Sequence, residues 1–236
     1  GLMTDYLLVH DAGQGAWSWG QVWGHLTAPV EHPPRLYAPR RANRVYTLDL
    51  PGHGADAEGD TAEVRLEECV HAIARVVELE GLKDVVLVGH GFAAGLVLQA
   101  AGQLLETPKR LVLVAGMVPL YRRSLLSVLP WRARSVYKLL AALSKLSRRD
   151  LKLPREIIYR YICSGMDHME VVHVVGLFGA LPTRVLNTRL SLDEPQPSCP
   201  VSYVVLTQDR ILRSEVQHRM AEQFTEIEVV EVNTGH

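Results

Sequence analysis

The stretch Val85-Val86-Leu87-Val88-Gly89-His90-Gly91-Phe92-Ala93-Ala94-Gly95 decides the fold of this chain. It begins with four apolar residues that show no polar alternation, which is typical of a strand covered on both faces. It continues through small residues into a helical pattern that begins at Phe92. The stretch therefore predicts a buried strand, a tight turn at Gly89–Gly91 and a helix.

Five other apolar runs of the same kind flank this unit and predict further strands. They are Tyr6–Val9, Val45–Leu48, Leu111–Val114, Val201–Leu206 and Ile227–Val232. Helical patterns alternate with them at Trp17–Leu26, Glu63–Leu79, Phe92–Leu105 and Ser214–Phe224. Strands that alternate with helices of this length predict an α/β fold with a doubly wound, mostly parallel sheet.

One long segment interrupts the alternation. Between Val114 and Val201 the pattern is helical, and an apolar stripe runs from Leu125 to Leu146. We interpret residues 118–195 as a helical cap over the carboxyl edge of the sheet, with 1–117 and 196–236 as the core. The stripe is expected to roof a mostly apolar pocket. The cap is also rich in Arg and Lys, which is typical of a solvated face and less often of contact with an anionic substrate or a membrane surface.

The glycine turn fits two kinds of site. A dinucleotide fingerprint, G-x-G-x-x-G/A, needs a carboxylate at the end of the next strand, but that strand ends Val114-Ala115-Gly116-Met117. The other kind is the G-x-S-x-G turn, which presents a nucleophilic serine between a strand and a helix. Residues 89–93 fit this second pattern except at the centre, where Gly91 replaces serine.

With this turn, the chain resembles the α/β-hydrolase family, particularly its small esterase and hydroxynitrile-lyase branch. The resemblance extends over nearly the whole chain. It rests also on His10–Trp17, Asp49–Gly54, Thr207–Arg210 and Asn233–His236, each of which follows a predicted strand. It implies an enzyme for a small ester- or carbonyl-type substrate that needs no cofactor and no metal. The family normally continues into a final helix, so we expect further chain after His236.

The resemblance also assigns site residues. Asp209 takes the place of the acid, His236 that of the base and Gly91 that of the nucleophile. The backbone N–H groups of Ala12 and Phe92 would form the oxyanion hole. Because these positions follow strand ends, we expect them to meet at the carboxyl edge of the sheet.

Two residues depart from the family pattern. Gly91 has no side chain, which excludes an acyl-enzyme at this position. Asp11 stands where esterases of this branch have glycine, and its charge would repel a developing oxyanion. Asp11 is therefore either a group that contacts substrate or a solvated turn residue. Trp17 and His90 are weaker candidates for substrate contact. We expect Trp17 rather to pack in the core and His90 rather to be a structural turn residue.

Three functions stay open at this point. The first is a serine hydrolase whose serine was replaced, either by evolution or by engineering. Gly1-Leu2-Met3 resembles the remnant of a tag, which keeps engineering open. Restoring Ser at residue 91 should then create esterase activity, and Asp11→Gly should increase it. The second is a non-covalent general-base enzyme or lyase that uses His236 and Asp11. The third is a non-catalytic binder of a small ligand.

Composition excludes several other classes. The 236 residues are 47% apolar and 22% charged with a net charge of −1, which is ordinary for a globular protein and argues against a nucleic-acid binder. No apolar run reaches the roughly 18–20 residues of a membrane span.

The three cysteines lie far apart, which favours reduced thiols in a cytoplasmic protein. His168 and His173 are five residues apart and do not share a helix face, so they predict no metal site.

Overall fold

Six parallel strands form one sheet in the computed structural model, which describes residues 4–20, 44–57, 60–120, 122–190 and 197–236. The strands are β1 (Asp5–Val9), β2 (Arg44–Thr47), β3 (Val85–His90), β4 (Arg110–Val114), β5 (Val201–Leu206) and β6 (Ile227–Val232). Their order is β2-β1-β3-β4-β5-β6. The predicted α/β class is therefore confirmed, and each predicted strand lies within two residues of its observed bounds.

The strand order places the site. The chain adds β2 on one side of β1 and then returns to add β3 on the other side, so the order switches direction between β1 and β3. Ligands bind at such switch points, beyond the carboxyl ends of the strands. Val9 pairs with Gly89, and His90 pairs with Val114. The ends of β1, β3 and β4 therefore lie side by side.

Helices cover the core strands. They are α1 (Leu66–Leu79) and α2 (Ala93–Gln103), followed after β5 by α7 (Ser214–Ala221). The predicted apolar face of α1, which includes Val70 and Ile73, is buried, and Leu96 of α2 is fully buried. The predicted start at Glu63 is too early because Thr61–Glu63 form a separate 3₁₀ turn, and Val64 after it is extended. Trp17–Leu26 was predicted as a helix; the structure has a 3₁₀ turn at Ala16–Trp19, and 21–26 lie outside the described residues.

The segment between β4 and β5 is helical, as predicted. After a 3₁₀ turn (Leu125–Val128) come α3 (Trp131–Ser147), α4 (Arg155–Ile157) with a π-helical continuation (Ile158–Ile162), α5 (His168–Leu177) and α6 (Thr183–Asn187). Two contacts join this segment to the loop after β1: Gly179 N–H donates to Gly13 O at 2.7 Å, and the His173 ring meets the edge of Trp17. Its separation from the core as a cap domain stays a prediction.

The apolar stripe of this segment does not roof a pocket over its whole length. Leu125 is buried, but in α3 the side chains of Val136, Leu139, Leu143 and Leu146 are 47%, 62%, 54% and 83% exposed. The face of α3 that packs inward is the one that carries Tyr137. The expectation was wrong because α3 is apolar on two faces, and periodicity does not say which face is covered. Within the described residues, no helix has the length and apolarity to cross a bilayer.

Candidate functional site

His10 fixes the backbone of the loop that follows β1. Its Nε2 accepts a hydrogen bond from Leu50 N–H at 3.0 Å, so its Nδ1 carries the proton and donates to Asp11 O at 2.8 Å. Burial and the nearby His53 lower the pKa of His10 to about 4, which keeps the ring neutral. Sequence reasoning missed this role of His10, which the pair His10-Asp11 directly after a strand could have indicated.

Gly91 forms a turn in which only glycine fits without strain. Its φ is +58°, in the left-handed region that L side chains rarely adopt. Its N–H donates to Val114 O at 3.0 Å, which holds the turn against the end of β4. A Cβ built on Gly91 would overlap the carboxylate of Asp11. The volume of a side chain at residue 91 is therefore taken by Asp11.

The Asp11 carboxylate is held by three groups. Its Oδ1 accepts hydrogen bonds from Ala12 N–H at 2.8 Å and from Phe92 N–H at 2.9 Å. Its Oδ2 is hydrogen-bonded to Nε2 of His236. Asp11 is only 8% exposed, so the interpretation as a solvated turn residue was wrong. The two N–H groups that were expected to form an oxyanion hole do converge, and they converge on Asp11.

His236 and Asp209 meet behind Asp11. Nδ1 of His236 lies 2.5 Å from Oδ2 of Asp209, and the two side chains are 1% and 0% exposed. The other oxygen of Asp209 accepts from the N–H groups of Ile211 at 2.8 Å and Leu212 at 2.9 Å. Asp209 is thus fixed on both oxygens, and its hydrogen bond to Nδ1 fixes the orientation of the His236 ring.

The charges of these groups are interdependent. Burial alone would lower the pKa of His236, but the carboxylates of Asp11 and Asp209 and their hydrogen bonds outweigh it and raise the pKa to about 10. Burial alone would raise the pKa of Asp11, but the charge and hydrogen bond of His236 lower it below its ordinary value. With its pKa raised, His236 is an imidazolium at neutral pH, and its ring lies between the side chains of Asp11 and Asp209. His236 is therefore already protonated and is not a general base in this state.

His90 lies at the edge of this arrangement, with its ring 4.6 Å from the His236 ring. The ring of Trp17, the other candidate, lies 6.5 Å from the ring of His173 in α5. Burial and the charge of His236 lower the pKa of His90 to about 4. Its Nε2 is buried and has no hydrogen-bond partner among the described residues.

A metal ion has one conceivable set of ligands in the described part of the chain. Ligand atoms of Asp11, His90 and His236 lie within 4.8 Å of one another. Both ring nitrogens of His236 are already hydrogen-bonded to carboxylates, so an ion would have to displace the Asp11 contact and a proton. Asp167, near the rejected His168–His173 pair, instead caps α5 by accepting from Glu170 N–H at 2.9 Å.

A cavity of about 700 Å³ lies between the π-helical segment and α5, and its lining includes none of Asp11, Asp209 and His236. Three arginines line it, Arg155, Arg160 and Arg210. Ser164 lines this cavity, and its Oγ is 2.9 Å from a Cβ built on Gly235, the residue before His236. Cys163 also borders the cavity, but burial raises the pKa of its thiol, which disfavours a thiolate nucleophile.

Known proteins resemble this chain in sequence and in fold. A carbendazim-hydrolyzing esterase of Nocardioides sp. (strain SG-4G) is 27% identical over 128 residues, which are 54% of this chain and 48% of that esterase. The chain thus aligns with about half the length of this curated relative. An extracellular α/β-hydrolase from a Paenibacillus species has a TM-score of 0.82 at 20% identity. The alignment covers 100% of this chain and 91% of the Paenibacillus chain. A methylesterase from Arabidopsis has a TM-score of 0.73 at 16% identity, over the same shares of the two chains.

The family itself is shown by a match over nearly the whole chain. The model of the alpha/beta hydrolase family matches residues 6–236, a range that includes the loop after β1, the glycine turn and His236. The parallel sheet and the strand-end positions of Asp11, Asp209 and His236 agree with this match. The chain therefore belongs to the alpha/beta hydrolase family.

Proposed function

We propose that this chain is a hydrolase for a small substrate that carries a leaving group on carbon, the class that includes esters. In this proposal Asp11, His236 and Asp209 replace a serine triad, and residue 91 contributes no reacting group. One observation carries the proposal. The Asp11 carboxylate accepts hydrogen bonds from both N–H groups expected to form the oxyanion hole, and it is hydrogen-bonded to the His236 ring that a serine at residue 91 would contact. The esterase relatives support a hydrolytic reaction on a small molecule.

The three residues have separate roles in the proposal. Asp209 is a positioning residue because the hydrogen bonds of its carboxylate go to the far side of the His236 ring and to N–H groups of its own loop. His236 holds and moves a proton at Nε2. Asp11 faces the reacting groups. Residues 118–195 would cover the substrate from above, as their contacts with Gly13 and Trp17 suggest.

Ester hydrolysis by a serine route is disfavoured in the chain as it stands. The tetrahedral oxyanion of an ester needs the N–H groups of Ala12 and Phe92, and both already donate to Asp11. A serine at residue 91 alone would also overlap Asp11. We therefore expect that Gly91→Ser alone does not create an esterase and that Asp11 must be removed at the same time.

The general-base alternative is disfavoured by the protonation of His236. A base must be unprotonated, and the pKa of His236 is raised to about 10. A reaction that used this ring as the base in its resting state would speed up as the pH rises toward 10 and would be slow at neutral pH. A flat rate between pH 6 and 8 would argue against that mechanism.

The proposal is tested by turnover at pH 7.5 of an activated short-chain ester, a cyanohydrin and a primary alkyl bromide. The proposal predicts hydrolysis of at least one of them and a loss of about 100-fold or more in His236→Gln. Cys163→Ser is the matched control, because it replaces a nearby nucleophile that the proposal does not use, and it should keep the parent rate. A folded protein that binds these compounds without turning over any of them would be a binder and would contradict the proposal.

A further inference from the structure

We infer that the cavity between the π-helical segment and α5 is a second binding site, for a small ligand that carries an anionic group, a carboxylate or a phosphate, on an apolar body. Asp11, Asp209 and His236 are absent from its lining, so the inference goes beyond the proposed function and does not depend on it. The cavity volume of about 700 Å³ lies within the range of about 300–1,000 Å³ that is typical of small-molecule sites.

The π-helical segment helps to bring two of the arginines into one cavity. Cys163 N–H donates to Ile158 O at 2.9 Å, a hydrogen bond that spans five residues instead of the four of an α-helix. The wider turn shifts residues that are five apart toward one face of the helix. Arg155 and Arg160 are five residues apart, and both line the cavity. Short π-helical turns are frequent at functional sites.

The charge of the lining is positive. The three arginines share it with a single carboxylate, that of Glu156. Among the residues that the structure describes, no ion pair joins Glu156 to an arginine, and the side chains of Arg155 and Arg160 have no hydrogen-bond partner. A planar guanidinium fits a carboxylate or a phosphate with two parallel hydrogen bonds. An anionic ligand would therefore supply the partners that these two guanidinium groups lack.

Arg210 adds a third guanidinium whose position is fixed. Its Nη1 donates to the backbone oxygen of Arg160 at 3.3 Å, which ties the loop after β5 to the π-helical segment. A group that is held in place before binding loses less conformational freedom when the ligand arrives. Arg210 therefore gives the site a donor that is already oriented toward the segment that carries Arg155 and Arg160.

The lining from α5 is apolar. Three valines contribute it, Val171, Val172 and Val175. Val171 is buried and belongs to the same small core cluster as Ile158 and Ile162 of the π-helical segment. This packing fixes the apolar surface relative to the arginines. The ligand therefore needs an apolar body as well as a charge, which distinguishes it from inorganic phosphate.

The test is isothermal titration calorimetry of the full chain with octanoate and mono-octyl phosphate as probes. Two comparison ligands each lack one part: 1-octanol has no charge, and acetate has no apolar body. We expect at least one of the octyl anions to bind one-to-one with a Kd below about 1 mM. Binding of 1-octanol and of acetate should be weaker by about tenfold or more.

Two variants locate the bound probe. Arg155→Gln combined with Arg160→Gln should raise the Kd by about tenfold or more, because it removes two charged donors. Val172→Asp should also raise the Kd, because it places a negative charge in the apolar part of the lining. Arg75→Gln is the matched control, since Arg75 is an exposed arginine of α1 that does not line the cavity, and it should keep the parent Kd.

Three outcomes would overturn the inference. They are the absence of binding by both octyl anions, equal affinity for 1-octanol and the anions, and an unchanged Kd in the double arginine variant. None of them bears on the proposed function, which is judged by turnover at Asp11 and His236. Conversely, a chain that turns over no ester, cyanohydrin or bromide but binds octanoate through Arg155 and Arg160 would contradict the proposed function and leave this inference in place.

Discussion

The carboxylate of Asp11 occupies the volume that a side chain on residue 91 would fill. Residues 11 and 91 lie far apart in sequence, but the pairing of β1 with β3 brings the ends of their strands together. A glycine at 91 and a carboxylate at 11 are therefore complementary, and a side chain at one position excludes the side chain at the other.

This complementarity predicts the cost of a methyl group at residue 91. Gly91→Ala should destabilise the protein by more than about 1 kcal/mol, because φ is +58° and the new Cβ overlaps Asp11. Adding Asp11→Gly should recover part of this cost, which denaturant unfolding of the two single variants and the double variant would measure. Gly102→Ala is the control, since a Cβ there meets no atom within 4 Å and Gly102 lies within α2. Strict additivity of the two changes would contradict the overlap.

The same overlap predicts how serine chemistry could be built into the site. Gly91→Ser should have no esterase activity, whereas Asp11→Gly combined with Gly91→Ser should hydrolyse an activated short-chain ester. The double change frees the N–H groups of Ala12 and Phe92 and places a hydroxyl before His236. Initial rates of the parent, both single variants and the double variant decide this. Equal rates for Gly91→Ser and the double variant would show that Asp11 does not obstruct the site.

The ion pair between Asp11 and His236 predicts the pH dependence of stability. The pKa of His236 is raised to about 10, so its stabilisation is complete below its ordinary pKa of 6.5 and is lost as the pH rises through about 10. The pKa of Asp11 is lowered, so its stabilisation is present above its ordinary 3.8 and is lost at more acid pH. Free energies of unfolding from pH 6.5 to 10 should fall by up to about 1.4 kcal/mol per pH unit relative to His236→Gln. Parallel curves for the two proteins would contradict the ion pair.

The exposed side of α3 predicts tolerance to polar substitution. Leu143→Gln should change the free energy of unfolding by less than about 0.5 kcal/mol, since Leu143 is 54% exposed. Leu125→Ala, at a fully buried position of the same segment, should cost about 2–5 kcal/mol. Urea unfolding of both variants measures this. A large loss in Leu143→Gln would mean that this face is covered in solution.

The sequence was sufficient for the sheet and for the meeting of site residues because these depend on local patterns. Val85–Val88 is apolar on both faces, and Val201–Leu206 is nearly so, which is typical of buried parallel strands. Asp209 and His236 follow the ends of adjacent strands, so their convergence follows from parallel pairing. These inferences needed no knowledge of side-chain packing.

The role of Asp11 could not be read from the sequence. Its burial depends on the distance between two loops, and its charge depends on His236 and on the N–H groups of Ala12 and Phe92 together. Considered alone, a carboxylate beside an oxyanion hole suggests repulsion. The exposure of Leu139 was missed for a similar reason, since helical spacing groups residues on a face but does not identify what covers that face.

The protonation of His236 tests the central claim most directly, because it depends on the Asp11 carboxylate lying against the ring. Imidazole ¹⁵N and ¹H signals of His236 should show both ring nitrogens protonated at pH 8, with a pKa near 10 that falls toward 6.5 in Asp11→Asn but not in the control Asp150→Asn. A His236 ring that is neutral at pH 8 in the parent chain, or that titrates alike in the parent and Asp11→Asn, would contradict the placement of Asp11 as the group that replaces the side chain of residue 91.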